Sequence, residues 1–290
     1  MIRSWSVGDI RVTRLVEYYG PTHDPAETFP DFDPVRFDLH VAGLPPGHWY
    51  ADLGRLAIAV QIWIVFAGPN VILVDTGVGN RKPRPLARMN RLNTLVPLWL
   101  EAAGVTPEIV THVAMTHLHY DHIGWNTVFE DGDWLPTFPN AQYLVPKEDF
   151  VFFKERVERS AATDASLEDS LLPVFESGLV RFIDRQTVVA GVLEVERSRG
   201  HTPGHTTYWI ESGGERGVFC GDVFHHPIQI CEPDWNTNFC VFPDEARAVR
   251  HALLEKAADT GALVMPCHFP PPGAGFVRRE GDSYRFEPAP

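Results

Sequence analysis

At 290 residues the chain is long enough to bury a sizeable core as one elaborated domain spanning 1–290, and nothing in its composition forces a split into several units. Its content of 44% hydrophobic and 22% charged residues excludes a disordered chain. A formal net charge of -13, with 38 acidic residues against 25 Lys plus Arg and no basic run, argues against a nucleic-acid-binding surface.

The first 55 residues are rich in Pro and aromatics, among them Tyr18, Tyr19, Phe29, Phe32, Phe37, Trp49 and Tyr50. They read as an N-terminal extension that lies over a site as an apolar lid, forms a homodimer contact, or simply packs on the body. The N-terminus lacks a basic-then-apolar signal pattern. The longest apolar stretch, Leu56 to Gly68, contains Gln61 and is too short to span a bilayer. The expectation is a cytoplasmic protein with no membrane partner.

Two β-rich runs, 56–68 and 70–77, flank Gly68-Pro69 and predict a hairpin. Residues 94–104 read as a helix stopped by Gly104, and "PEIVTHVAMTH" runs from a short helix into the strand "HVAMT". Residues 141–146 predict a strand, 147–160 a helical insert carrying Phe150, Phe152 and Phe153, and "LVRFID" with "TVVAGVLEVERSRG" further strands. "TYWIES", "RGVFCGD" and "ALVMPCHF" follow as strands, with an amphipathic helix over 244–261 ended by Gly261. Strands and helices in two similar halves predict a layered α/β body with sheets packed together and helices outside. Cys220, Cys231, Cys240 and Cys267 show no C-x-x-C spacing, so they read as buried free thiols.

The stretch "THLHYDHIG" (116–124) lies just past a strand end and concentrates His117, His119, Asp121 and His122. A turning loop can direct all four toward one point, which a regular strand or helix cannot. Imidazole nitrogens and a carboxylate so placed suit zinc and similar divalent ions. More candidate ligands follow other strand ends: His201 and His205 in "RGHTPGHTT", Asp222, His225 and His226 in "CGDVFHHP", and His268 in "MPCHFP". There is no G-x-S-x-G elbow and no phosphate-binding glycine loop.

The segments "VDTG" (74–77), "THLHYDHIG", "GHTPGHT" (200–206), "CGD" (220–222) and "PCHF" (266–269), in that order, make the chain resemble the metallo-β-lactamase superfamily of metallohydrolases. The resemblance implies a four-layer αββα sandwich with its metal site at one edge of the two sheets. It implies that His117, His119 and His205 hold one metal, that Asp121, His122 and His268 hold a second, and that Asp222 bridges them. On this reading His201 is structural or supports the ligands, and Asp75 supports them from its strand end. Two divalent ions, zinc being the expected one, hold a bridging hydroxide for attack on a small-molecule substrate, with Asp121 passing a proton to the leaving group.

His119 stands where redox relatives carry a glutamate, and Asp222 where the best-known β-lactamases carry a cysteine. The combination looks most like the lactonase and methyl-parathion-hydrolase-like branch. His225 occupies the position where acyl-homoserine lactonases typically have a tyrosine, and it is expected to line the substrate side of the site. The expected activity is hydrolysis of an ester or lactone of a small, fairly apolar molecule. Phosphotriester or thioester hydrolysis, or a metal-stabilised binding role without catalysis, are the alternatives.

Overall fold

The computed structural model describes residues 2–159, 165–183 and 187–290. Seven strands of the first sheet run in the order Ile2–Val7, Ile10–His23, Arg55–Ala67, Asn70–Val74, His112–Ala114, Gln142–Pro146, Val180–Ile183, with Trp49–Tyr50 pairing at the side. The second sheet runs Val188–Val189, Leu193–Arg197, Thr206–Ser212, Glu215–Gly221, Leu263–Pro266, Gly275–Glu280, Ser283–Pro288. The two pack face to face. Trp63, Val65, Ile72 and Val74 of the first sheet meet Tyr208, Ile210, Phe219 and Met265 of the second in one buried cluster. Each such side chain contributes roughly 1.5–3 kcal/mol on burial.

Strict alternation sends Ile62, Ile64 and Leu73 to the opposite face, where they pack with Val96, Leu100, Leu167, Leu171 and Val174 from the helical segments. Outside the second sheet, Val218, Cys220 and Val264 meet Leu253, Leu254 and Ala257 of the helix Pro243–Thr260. Helix, sheet, sheet and helix therefore form four layers. Strands covered on both faces explain why 56–68 reads as one apolar run rather than an alternating one.

The predicted elements fall in place, including the hairpin turning at Gly68-Pro69, with Ala67 opposite Asn70, and the helix ended by Gly261 in the left-handed region. The insert contains Lys147–Arg159, Ser166–Ser170 and Leu172–Glu176 as separate helices. Ser160, at the end of the predicted helix, and Asp184, at the end of "LVRFID", lie outside the described residues. All four cysteines are free: Cys220 and Cys267 are buried, and Cys231 and Cys240 only partly so. Among the described residues no helix is long and apolar enough to cross a membrane.

The N-terminal segment is built into this body. Ile10–His23 pairs along most of its length with Arg55–Ala67, so the first part of the segment is sheet. Beyond it, Asp24 and Asp33 each cap a short helix by accepting two backbone N–H bonds, with proline as the next residue. Phe29 and Phe37 then pack with Trp235, Leu56 and Ile228.

The long connection after Asn70–Val74 is anchored by charge. Arg84 makes two bonds to Asp169, at 2.7 and 2.9 Å, and the buried Lys82 ammonium lies 3.4 Å from the same carboxylate. Burial lowers Lys82 to about 7, with Asp169 opposing that shift. Asp169→Ala strands both cations inside the protein and is expected to cost about 3–5 kcal/mol in urea-unfolding measurements. A change within about 0.5 kcal/mol would show that the pair is solvated and not an anchor.

Candidate metal centre

Topology brings the ligand-type residues to one edge. Asn70–Val74 and His112–Ala114 are parallel, as are Glu215–Gly221 and Leu263–Pro266, so the chain leaves each strand of a pair on the same side. Those exits carry Asp75, Thr116 to His122, Asp222, and Cys267-His268. Thr206–Ser212 runs antiparallel to Glu215–Gly221, which delivers the turn before it, Gly200 to His205, to the same edge. At Gly221 the backbone is left-handed, with φ 48°. A Cβ there would come within 2.7 Å of His205 Nε2 and 2.8 Å of Thr116, so only glycine lets these loops close together.

At the centre, Asp222 is 3% exposed and faced by imidazoles. Its Oδ2 lies 3.2 Å from His201 Nε2, 3.2 Å from His225 Nε2 and 3.7 Å from His117 Nε2. Its Oδ1 lies 3.3 Å from His122 Nε2 and 3.1 Å from His268 Nε2, yet makes no hydrogen bond. Burial alone would raise this carboxyl, but His122, His268, His225 and His117 outweigh it and hold Asp222 well below the usual carboxylate range.

The ring nitrogens facing away from the centre fix the tautomers. His122 Nδ1 donates to Asp75 Oδ2 at 2.9 Å, and His268 Nδ1 donates to the Ala59 carbonyl at 2.8 Å. Both Nε2 atoms, 3.2 Å apart, face Asp222; burial would lower these rings, but the Asp222 charge outweighs it and raises both above their ordinary value. Thr116 Oγ1 donates to Asp75 Oδ2 and so accepts from His117 Nδ1, which leaves His117 Nε2 a lone pair. That atom sits 2.9 Å from His119 Nδ1, which lies 2.9 Å from His201 Nε2. Burial, with the neighbouring imidazoles, pushes His117 and His119 well below their ordinary value, keeping them in the neutral, ligating form. Imidazole nitrogens converging on a buried carboxylate, one oxygen of which makes no hydrogen bond, form a donor set that fits divalent cations.

Among the described residues the ligand-type atoms fall into three groups: His117, His119, His201 with Asp222; Asp121, His122 with His268; and, deeper, Asp75, His122 with Cys267, already joined by hydrogen bonds. Six of the seven ligands expected from the sequence are in these groups. His205 is not. Its Nδ1 meets Ser198 Oγ at 2.7 Å, while its Nε2 faces the centre, accepting the Asp222 backbone N–H at 3.0 Å, with its ring 5.1 Å from that of His117. His201, read from the sequence as structural or supporting the ligands, lies in the first group, its Nε2 3.2 Å from Asp222 Oδ2. Asp121 stands at the rim, 3.9 Å from His122 Nε2 and 3.7 Å from His268 Nε2, with its side chain 19% exposed.

Buried carboxylates hold the ligand loops in place. Asp75, at a left-handed φ of 56°, accepts from Thr116 N, Thr116 Oγ1, His122 Nδ1 and Cys267 Sγ, tying three strand exits to one side chain. Asp149 accepts from Leu118 N, Thr202 Oγ1 and Gly204 N, joining the two histidine-bearing loops. Burial raises Asp149 to about 6, with these hydrogen bonds opposing. Glu17, also raised by burial, accepts from Val78 N, Gly79 N and Trp125 Nε1. Sequence reading found Asp75 but neither Asp149 nor Glu17, which sit singly in a helix and a strand with nothing local to mark them.

A cavity of about 340 Å³ opens over the centre. His119, Asp121, Asp222, His225 and His268 form one wall; Ile58, Val60, Met89 and Phe239 form much of the rest. His225 therefore reaches the cavity, as expected, and stacks on His268 at 5.5 Å. Burial holds it neutral near neutral pH, at about 4. Of the N-terminal segment, His23 lines the cavity among the described residues, while its aromatics pack elsewhere. Phe153 of the insert meets His119 edge-on at 5.4 Å.

Relatives share this architecture. A crystal structure of a hydrolase of the beta-lactamase superfamily aligns with TM-score 0.83 at 23% identity, covering 99% of this chain and 97% of its own. A dizinc quorum-quenching lactonase in complex with its product N-hexanoyl-L-homoserine aligns with TM-score 0.79 at 23% identity, covering 100% and 97%. By sequence, the chain is 25% identical over 170 residues to an N-acyl homoserine lactonase from a Bacillus species, covering 54% of this chain and 60% of the relative. It is 24% identical over 185 residues to a probable metallo-hydrolase from Mycobacterium bovis, covering 59% and 58%. The match thus spans about three fifths of the length of these curated relatives. Residues 57–268 match the family described as the metallo-beta-lactamase superfamily, and on that match, with the four-layer fold and the edge-on histidine centre, the chain belongs to that superfamily.

Proposed function

We propose that the protein is a dinuclear metal-dependent hydrolase that cleaves an ester or lactone of a small, fairly apolar molecule. The observation that carries this reading is the convergence of imidazole nitrogens on the buried Asp222 carboxylate at the floor of a cavity with apolar walls. His117, His119 and His201 would hold one ion, Asp121, His122 and His268 a second, and Asp222 both. Zinc is the expected metal, since imidazole and carboxylate donors suit it. When bound, such ions supply Lewis acidity and an ionised water near neutral pH. The lactonase relatives support the ester or lactone class.

The chain's own groups then have separate tasks. Asp75, the Ala59 carbonyl and Thr116 orient His122, His268 and His117 by taking their outward N–H groups. Asp121, at the boundary between centre and cavity, has two oxygens: one for an ion, the other to carry a proton to the departing alkoxide. Neutral His225 steadies Asp222 through Nε2 and faces the substrate side, without belonging to the ligand set. Ile58, Val60, Met89 and Phe239 exclude water from the apolar part of the substrate.

The ligand exchange is directly measurable. Wild-type protein is expected to bind two divalent ions per chain; His201→Ala should lose one, while His205→Ala should keep both. Elemental analysis giving the reverse pattern would restore His205 as the ligand. Asp149→Ala, with its fold verified by circular dichroism, should weaken metal affinity about 10–100-fold by releasing the two histidine loops; unchanged affinity in a chelator competition would show the loops hold without it.

Asp121→Asn should depress turnover of esters with poor leaving groups by about 10²–10⁴-fold, and less for acidic phenols that depart unprotonated. Equal losses across the leaving-group series would make Asp121 a ligand alone. Two bound ions with no turnover of any lactone or ester would turn the reading toward a binding protein.

A further inference from the structure

Across the cavity from the histidine centre stands a guanidinium that the proposed hydrolysis does not use. Arg88 comes from the short turn Ala87–Met89 within the long connection after Asn70–Val74, and it lines the cavity beside Leu86 and Met89. The turn is a fixed mount. Met89 is 4% exposed and packs with Val60 and Val78, Asn90 Oδ1 accepts the Arg84 backbone N–H at 3.0 Å, and Arg84 is locked to Asp169.

No carboxylate among the described residues pairs with Arg88. Its one hydrogen-bonded neighbour is His23, whose Nε2 lies 3.4 Å from Arg88 Nη2 and whose Nδ1 meets Thr22 Oγ1 at 2.7 Å. Burial and the Arg88 charge lower His23 to about 3, so this neighbour brings no charge to the pair. The Arg88 Nε is buried without a partner. A partly buried guanidinium whose fork is unmatched, fixed on the wall of a binding cavity, is the arrangement that recognises a carboxylate or phosphate.

We propose that Arg88 binds an anionic group of the substrate, a carboxylate or a phosphate, so that the substrate is an amphiphile with its scissile ester or lactone at the histidine centre, an apolar span along Val60, Met89 and Phe239, and an anion at Arg88. The scissile end rests on the hydrolase reading above; the anion site stands on Arg88 and can be measured without turnover.

The test uses calorimetry on the full-length, zinc-loaded protein with dicarboxylates from succinate to suberate, each compared with the monocarboxylate of the same length. Both ligands of a pair offer one carboxylate to the metal centre, and the second reports on Arg88. At the length that spans the cavity the dicarboxylate should bind about tenfold tighter or more. Arg88→Gln should abolish that advantage and Arg88→Lys restore part of it. Replacing the distal carboxylate by a phosphonate identifies the anion: a further gain names a phosphate, a loss a carboxylate.

The kinetic counterpart is the ratio of KM for an aryl hexanoate to KM for the aryl monoester of adipic acid, which should collapse in Arg88→Gln. Equal binding of mono- and dicarboxylates at every length, or an advantage that survives Arg88→Gln, overturns the proposal. Failure of the hydrolase reading looks different: no ester is turned over, while the calorimetric preference for the second anion remains.

Discussion

The carboxylate of Asp222, ionised and buried among imidazoles, is the constraint on which the rest of the site depends. Placed in an apolar interior, such a group would cost several kcal/mol unless positive charge or N–H donors surrounded it. Here the surrounding groups are ligand-type imidazoles, three of which bind outward to Asp75, Ala59 and Thr116. The polar network is satisfied at its periphery, while at its centre Asp222 Oδ1 makes no hydrogen bond. That pattern separates a ligand shell from a structural hydrogen-bond cluster, in which the innermost atoms would be paired first.

Fixing this centre falls to acceptors deeper in the molecule. Asp75 and Asp149 take backbone N–H groups from loops that belong to different strands, and Glu17 reaches from the N-terminal strand to the connection after Asn70–Val74. The same connection carries Arg88 and is clamped at Arg84 by Asp169. Centre and substrate wall are thus braced by one set of buried charges, which explains why so many acidic side chains of this chain lie inside it.

Much of this was legible in the sequence because of contiguity. Residues 117 to 122 crowd four donors into one turn, and strand ends at Asp222 and His268 supply the rest, so ligand chemistry could be read without a fold. In the Gly200 to His205 turn spacing alone does not separate two histidines four residues apart, and the choice of His205 rests on the resemblance. In the structure both rings reach the centre, His201 Nε2 toward the Asp222 carboxylate and His205 Nε2 toward the Asp222 backbone N–H. The strand Ile10–His23 was missed because buried Thr13, Arg14 and Glu17 break the apolar pattern. The cavity wall was missed because Leu86 to Met89 lie in an irregular turn, where no periodicity exists to be read.

The donors also draw on opposite ends of the chain. His117, His119, Asp121 and His122 follow a strand of the first sheet, whereas Asp222 and His268 follow strands of the second. A cation held there would act as a staple across the sandwich, closing a loop of a hundred residues or more in the sense of a disulfide, but through a bond that is reversible and sensitive to pH. The donor set is complete only when both sheets have docked, so metal capture would depend on the long-range contacts between them. A weakened interface between the sheets, far from any ligand, would therefore show itself first as a loss of metal.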